Sequence, residues 1–363
     1  MTKFRESFAT QQFLPPWKAE KVQTSCFLFR LKPKAIQSYL DRHFNFTHMD
    51  RAPYHFSARA DSQFGVITIS YYPCIFSTNN SHFGADNLAH TQWDHLSYTQ
   101  FHVAIPVLRH RITRDNLLVE GKTVWIQPVI ICDNSSVVFG SREIIGLDMI
   151  HGSIERKAGN DPGSLHVDVF FPGFKTFEPT TQESPSLPLM HLETGPSIGA
   201  TLPQAMQDEN SEFIEGLAEA SGGGKGLDRF LPTVNEIVTL KQFRDAFNLL
   251  AATYQAIVSA TNSFINVENL QFYDANKVEL EFMWSASATE MLSNFLDLGA
   301  PGVGRAPPPH KGESWDLVGR MVKPRVAFGF TSDIEFNQIK TLHTFGGGAQ
   351  SSFNRGLAGA IQP

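Results

Sequence analysis

The sequence of 363 residues is poor in cysteine and in charge. Its three cysteines, Cys26, Cys74 and Cys132, form no Cys-x-x-Cys pair and no zinc-ligand spacing. We therefore expect reduced, unpaired thiols rather than a disulfide framework. Charged residues make up 18% of the chain, against about a quarter in ordinary globular proteins. With 30 phenylalanines, this predicts extra buried surface, which a large core or a homo-oligomer interface would supply, and we expect a homo-oligomer.

The chain also lacks a basic excess and long apolar runs. Its net charge is −6 and its pI is about 6.1, whereas nucleic-acid-binding surfaces need clustered basic residues. No apolar run approaches the roughly 18 residues of a membrane span. The first residues lack the apolar stretch of a signal peptide. We therefore expect a cytoplasmic protein with no nucleic-acid and no membrane partner.

Motifs for phosphate binding and for serine hydrolysis are missing as well. The glycine-rich run Gly222-Gly223-Gly224-Lys225-Gly226 lacks the P-loop spacing and a preceding strand. No Gly-x-Ser-x-Gly elbow occurs. We expect no cofactor and no metal site.

Periodicity predicts a chain built mainly of strands. Alternating and β-branched residues predict strands over 24–31, 64–72, 101–109, 123–132 and 164–171. Pro33 opens a predicted helix from Lys34 to Arg42. Three segments are expected outside this framework: an insertion over 178–228 with an acidic helix from Leu202 to Ala220, a loop over 299–311 and a loose tail over 346–363.

Two segments near the middle carry the most information about function. The first reads Tyr98-Thr99-Gln100-Phe101-His102-Val103-Ala104-Ile105-Pro106-Val107, and the second runs from Asp133-Asn134 through Gly140-Ser141-Arg142-Glu143 to Leu147-Asp148-Met149-Ile150-His151. Together they resemble the acetoacetate decarboxylase-like superfamily. That family has a YTExxxxIPV-like strand, a DN…GRE strand and turn, and a Pro-Lys-Lys segment whose first Lys forms a Schiff base with a keto acid. The resemblance continues in matching order over most of the chain, and it implies a pair of strands at Asn269 to Tyr273 and Lys277 to Trp284.

The resemblance implies a mainly β (α+β) fold, an antiparallel cone or barrel with peripheral helices, in a single domain over 1–363. It places Met149 where the family has its Schiff-base Lys, Ile150 where that Lys has its partner, and Gln100 where the family has a pocket Glu. A thioether cannot form an imine, so we expect the scaffold without the decarboxylase chemistry. Lys241 is the best substitute amine if an imine enzyme uses a displaced Lys.

The remaining polar residues define a candidate site. Asp148 and His151 flank the vacated position, and on a helical turn they would share a face, which is the usual way to orient a general base. His102 lies two residues after Gln100 and therefore on the same strand face. Structural roles for these side chains remain open alternatives. We predict that His151, His102 and Asp148 act catalytically.

A second set of side chains is predicted to bind the substrate: Gln100, Arg142, Glu143, Met149 and Tyr98. Arg142 and Glu143 are expected on opposite faces of a continuing strand, where Arg142 could hold a carboxylate. The favoured function is a divergent enzyme for a small or polyketide-like carbonyl compound or keto acid. It would use acid–base chemistry of the lyase, hydratase or cyclase type without an imine. The alternatives are a ligand-binding pseudoenzyme and an imine-forming decarboxylase.

Overall fold

The structure is a computed structural model. It describes residues 15–45, 53–59, 64–78, 96–113, 118–119, 121–159, 163–173, 184–202, 204–211, 214–215, 234–244, 252–283, 295 and 319–345. The loop predicted over 299–311 and the tail predicted over 346–363 lie outside these residues.

Fifteen strands and three α-helices occur in the described part of the chain. Their order is β1 (Trp17–Arg30), α1 (Pro33–His43), β2 (Tyr54–Ser57), β3 (Phe64–Ser77), β4 (Leu96–Arg111), β5 (Lys122–Cys132), α2 (Ser135–Ile144), β6 (Met149–His151), β7 (Ser153–Ala158), β8 (Leu165–Gly173), β9 (Ser184–Glu193), β10 (Ser197–Gly199), α3 (Gln204–Glu209), β11 (Val234–Arg244), β12 (Ala252–Tyr273), β13 (Glu279–Met283), β14 (Gly319–Val322) and β15 (Val326–Phe345). The predicted mainly β class is confirmed, as are the helix at Pro33 and the five single strands.

The larger sheet closes into a barrel. Its strand order is β2-β4-β3-β1-β15-β12-β11-β5-β6, and an additional pairing of β4 with β5 joins the two ends of the seven central strands. Most neighbours are antiparallel, while β5 pairs in parallel with β6 and, at Ile237 and Trp125, with β11. Closure removes the exposed strand edges that an open sheet would present.

The smaller sheet packs against the outside of this barrel. Its order is β14-β13-β9-β8-β7. Because side chains alternate along a strand, Phe27 of β1 faces the core between the two sheets, while Cys26 and Leu28 face the barrel interior. Val167 and Val169 of β8 are buried on the same inter-sheet side. The barrel interior is therefore a separate compartment, and it contains the candidate site.

Local structure differs from the sequence predictions at several points. Ser184–Glu193 lies inside the predicted insertion but forms β9, which is central in the smaller sheet. The predicted strand pair separates, because a short 3-10 helix at Ala275–Lys277, capped by the Asp274 carboxylate, leads the chain from β12 in the barrel to β13 in the smaller sheet. Within the acidic helix predicted from Leu202 to Ala220, Gln204–Glu209 is helical, while residues 203, 212–213 and 216–220 lie outside the described part of the chain.

The segment after Asn134 is a helix rather than the expected strand and turn. The Asn134 side chain accepts hydrogen bonds from the backbone N–H groups of Ser136 (3.0 Å) and Val137 (3.3 Å), which caps the N-terminus of α2. Arg142 and Glu143 are consecutive residues of this helix, so they are about 100° apart around its axis and not on opposite faces of a strand. None of the three cysteines forms a disulfide, as predicted. No helix in the described residues is long and apolar enough to cross a membrane.

Candidate active site inside the barrel

A cavity with about 150 Å³ of free space lies inside the barrel. Cavities of about this size accept a ligand as large as benzene. Its wall consists of alternate residues of the barrel strands, including Tyr98, Gln100, His102 and Ala104 of β4. Residues of α2, among them Val137 and Gly140, line it as well. The period of two along each strand therefore selects which side chains reach a ligand.

Gln100 and His102 form a hydrogen-bonded pair in this wall. The Gln100 Nε2 and His102 Nδ1 atoms are 3.1 Å apart. With the amide in this orientation, Gln100 donates to Nδ1, so the imidazole proton is on Nε2. The pair then offers the Nε2–H of His102 as a donor, and the Gln100 carbonyl oxygen as an acceptor, to a ligand in the cavity.

The titratable groups of the wall are all shifted toward their neutral forms. Burial lowers the pKa of His102 to about 4, and burial raises the pKa of the Cys26 thiol to about 12 although Thr68 opposes the shift. Burial also raises the pKa of Tyr72 and of Tyr98. The two tyrosine rings are stacked with centroids 4.3 Å apart. At neutral pH these groups are therefore hydrogen-bond donors and acceptors without charge.

Several further polar groups of the wall were missed by sequence reasoning. The hydroxyl oxygens of Thr24 and Ser70 are 3.2 Å apart. Asn235 of β11 and Asn262 of β12 are direct cross-strand partners, and the Oδ1 atom of each has no hydrogen-bond partner within the described chain. Asn235 lies two residues before the apolar wall residue Ile237 in β11. The period of two along a strand was therefore the available signal that Asn235 faces the cavity. A ligand that approaches these amides could supply the missing partners.

The structure brings together four of the predicted site residues and separates the others from them. Tyr98, Gln100, His102 and Met149 line the cavity. The side chains of Arg142, Asp148 and His151 are exposed and that of Glu143 is partly exposed, and these four residues are not part of the cavity wall.

The expected helical turn that would place Asp148 beside His151 does not form. Met149–His151 is the extended strand β6, in which His151 pairs with Cys132 of β5. Residues three apart in an extended chain point to opposite faces. The charge of Asp148 instead acts on two side chains of α1. Burial raises the pKa of Tyr39, and the charge of Asp148 adds to this increase. Burial lowers the pKa of His43, and the charge of Asp148 opposes this decrease.

Lys241, the substitute amine, also lies outside the cavity wall. Its Nζ donates to the backbone oxygen of Ile144 at 3.4 Å and lies over the rings of Phe243 and Tyr254. Burial lowers the pKa of Lys241, while the nearby Glu143 acts in the opposite direction. A lowered pKa is the direction that an imine-forming amine needs, but the position does not bring this amine to the cavity.

Comparison with known proteins supports the fold. No family model and no curated protein matches the sequence. Among solved structures, the chain is similar to an acetoacetate decarboxylase, with 12% identity, a TM-score of 0.50, and 94% of this chain and 96% of that chain covered. It is similar to an acetoacetate decarboxylase-like enzyme from Sphingomonas wittichii RW1, with 8% identity, a TM-score of 0.50, and 94% and 99% covered. The enduracididine biosynthesis enzyme MppR complexed with pyruvate matches at 9% identity and a TM-score of 0.49, with 93% of each chain covered. The chain has the acetoacetate decarboxylase-like fold.

Proposed function

We propose that the cavity binds an uncharged, largely apolar carbonyl compound. We further propose that Gln100 and His102 promote acid–base chemistry on it without an imine. The observation that carries this proposal is the hydrogen-bonded pair of Gln100 and His102 in the cavity wall, with the two side chains joined at 3.1 Å. The reaction would be of the lyase, hydratase or cyclase type. Met149 and Tyr98 would form part of the apolar surface around the substrate, with Met149 in the place that the resemblance gives to the Schiff-base Lys.

The neutral character of the wall favours a substrate without a carboxylate. The described lining residues contribute hydroxyl, amide, thiol and imidazole groups, and their titratable members are uncharged at neutral pH. An ionised carboxylate buried without a cationic partner loses much of its hydration energy. Within the predicted range of substrates, this supports a ketone or an aldehyde over a keto acid.

The protonation state of His102 suits it to donate a hydrogen bond rather than to remove a proton. An imidazole with a pKa of about 4 is a weak base at neutral pH, but its Nε2–H remains a good donor. Enol formation, dehydration, aldol-type cleavage and cyclisation all develop negative charge on a carbonyl oxygen. A fixed donor in a site of low dielectric stabilises such charge strongly. In this mechanism Gln100 fixes the tautomer of His102, His102 polarises the carbonyl, and a water molecule takes the proton that leaves the neighbouring carbon.

Deuterium exchange tests this role. In D₂O, the hydrogens next to the carbonyl of uncharged aryl methyl ketones should exchange faster with the protein present, as followed by ¹H NMR. His102→Gln and Gln100→Leu should slow the catalysed exchange by about 10²-fold, the usual contribution of an acid, base or oxyanion donor. The matched control is His151→Gln, because His151 is exposed and outside the wall. Loss of exchange in the control with full activity in the two wall variants would contradict the proposal.

A ligand-binding protein without catalysis is the second candidate. The raised pKa of the Cys26 thiol and the lowered pKa of His102 favour it, because both shifts remove reactive forms from the cavity. Binding of the same ketones, measured by ligand-observed NMR, with no acceleration of exchange would select this candidate.

An imine enzyme that uses Lys241 is the third alternative. Borohydride reduction in the presence of keto acids traps an imine as a covalent adduct, which mass spectrometry detects. We expect no adduct and no release of carbon dioxide from acetoacetate above the background rate. An adduct on Lys241 would contradict both the proposed site and the proposed chemistry.

A further inference from the structure

A cluster of imidazoles and carboxylates lies on the smaller sheet, on the face opposite the inter-sheet core. Along β8, Leu165, Val167 and Val169 are buried in that core, so His166 and Asp168 point the other way. Met190 and Leu192 of β9 are buried in the same core, so His191 and Glu193 share the opposite face.

The strand register places these four side chains next to one another. His166 pairs directly with Glu193, and Asp168 pairs directly with His191. Direct cross-strand partners have Cβ atoms about 4.5–5.5 Å apart. The pattern His-x-Asp on one strand and His-x-Glu on the next therefore produces a compact square of side chains without any contribution from loops.

Asp168 orients both imidazoles. Its Oδ2 atom is 2.9 Å from His166 Nε2 and its Oδ1 atom is 2.7 Å from His191 Nδ1. These contacts leave His166 Nδ1 and His191 Nε2 for another ligand. A carboxylate that holds the second nitrogen of a His is the usual outer partner of a metal-binding imidazole.

The distances and the access fit a metal ion. One potential ligand atom from each of His166, His191 and Glu193 lies within 4.8 Å of the others. Ligand atoms around tetrahedral Zn²⁺ are about 3.4 Å apart, given bonds of about 2.1 Å, so modest side-chain rotations close the site. The His166 side chain is 28% exposed, which leaves a path for an ion.

The surrounding charge favours a divalent cation. Glu281 of β13 is buried and pairs directly with His191, and Glu279 pairs with Glu193. Lys157 of β7 is the direct cross-strand partner of His166 and carries a positive charge, but its Nζ lies 3.1 Å from Glu155 Oε2, which offsets that charge.

We propose that His166, His191 and Glu193 form a binding site for a divalent transition-metal ion such as Zn²⁺, with Asp168 as the carboxylate that orients the two imidazoles. Transition-metal ions such as Zn²⁺ are commonly bound by imidazoles together with a carboxylate, whereas Mg²⁺ and Ca²⁺ take mostly oxygen ligands. Three protein ligands leave at least one coordination position open. The site is separate from the cavity, since none of its residues lines the barrel interior, and it does not depend on the function proposed for that cavity.

Metal titration of the full-length, tag-free chain tests the proposal. After treatment with a chelator, equilibrium dialysis against Zn²⁺ should give one ion per chain. Co²⁺ should give the intense visible absorption of a tetrahedral centre or the weak absorption of a higher-coordinate one. Glu193→Gln and His166→Gln should each weaken Zn²⁺ binding at least tenfold. Asp168→Asn should weaken it about 10–100-fold, as is usual for outer partners.

The control addresses the other histidines of the chain, which has 13. His43→Gln removes an imidazole of α1 that stacks on Tyr39 and should leave Zn²⁺ affinity unchanged. Circular dichroism and Tm of the metal-free variants check their folding, and the isosteric Glu193→Gln carries the test if His166→Gln fails to fold. Equal Zn²⁺ affinity in the wild type and in folded Glu193→Gln, or no Zn²⁺ binding by the wild type, would overturn the proposal.

Discussion

The lowered pKa of His102 predicts a specific loss of stability in mild acid. In the unfolded chain this imidazole has its ordinary pKa of 6.5, whereas burial lowers the pKa to about 4 in the folded protein. Above about pH 6.5 both states are neutral there, and His102 contributes no pH dependence. As the pH falls from about 6.5 to about 4, the unfolded chain binds a proton that the folded chain does not bind, so the folded state is destabilised.

The shift gives the magnitude of this effect. Two and a half pKa units correspond to about 3 kcal/mol when the window is fully crossed, and linkage gives about 2 kcal/mol at about pH 5. Other groups also titrate in this range, so the informative quantity is a difference between two proteins. The free energy of unfolding from urea denaturation should fall between about pH 7.5 and about pH 5 by about 2 kcal/mol more in the wild type than in His102→Gln.

A direct measurement completes this test. Proton NMR of the ring hydrogens should show His102 still neutral at about pH 5, while the half-exposed His43 serves as an internal reference with its own titration. Titration of His102 near pH 6.5, or an equal loss of stability on acidification in the wild type and in His102→Gln, would contradict this prediction.

Three other predictions concern residues around the site. Cys74 should react with a disulfide reagent well before Cys26, because Cys26 is buried with a pKa raised to about 12; equal rates would show that the barrel opens freely. Glu236→Gln should lower the free energy of unfolding by about 1–3 kcal/mol, since it removes the negative charge that pairs with Arg109 at 2.5 Å and with Lys122 at 2.8 Å; a change within error in urea denaturation would contradict this. Asn134→Ala should cost about 1 kcal/mol by removing the cap of α2, measured in the same way, and an unchanged midpoint would show that the cap contributes nothing.

The alternation of residues was sufficient to predict one wall of the cavity. Gln100 and His102 are two residues apart in a strongly β-forming segment, so their common face followed from the period of a strand. The structure has both in the cavity wall and in contact with each other. Their cross-strand neighbours, such as Asn235 and Asn262, could not be predicted in the same way, because strand order and register depend on contacts between distant segments.

Sequence reasoning failed where tertiary contacts override local composition. The prolines and serines of Ser184–Glu193 indicated a loop, yet Leu187 and Leu189 are fully buried and secure the segment as β9. Pro188 is accommodated because the register with β8 shifts between Val169 and Phe170, at the position where Pro188 pairs. This error also concealed the second half of the His-x-Asp and His-x-Glu pattern.

The turn before β6 shows a different limit. Gly146 has a positive φ of 83° and its Cα lies against Lys241, where a Cβ would come within 2.4 Å of the Lys241 side chain. This turn leads the chain into parallel pairing with β5, which extends Met149–His151 and exposes His151. Spacing in the sequence could not distinguish that strand from the helical turn that would have joined Asp148 to His151.

The most direct test of the central claim is the ¹³C NMR spectrum of a bound aryl methyl ketone labelled at its carbonyl carbon. If His102 donates to the oxygen with Gln100 behind it, the bound carbonyl signal should move downfield in the wild type. The same signal should return toward its free position in His102→Gln and in Gln100→Leu. A bound signal with an imine shift, or a downfield shift that persists in both variants, would contradict the account.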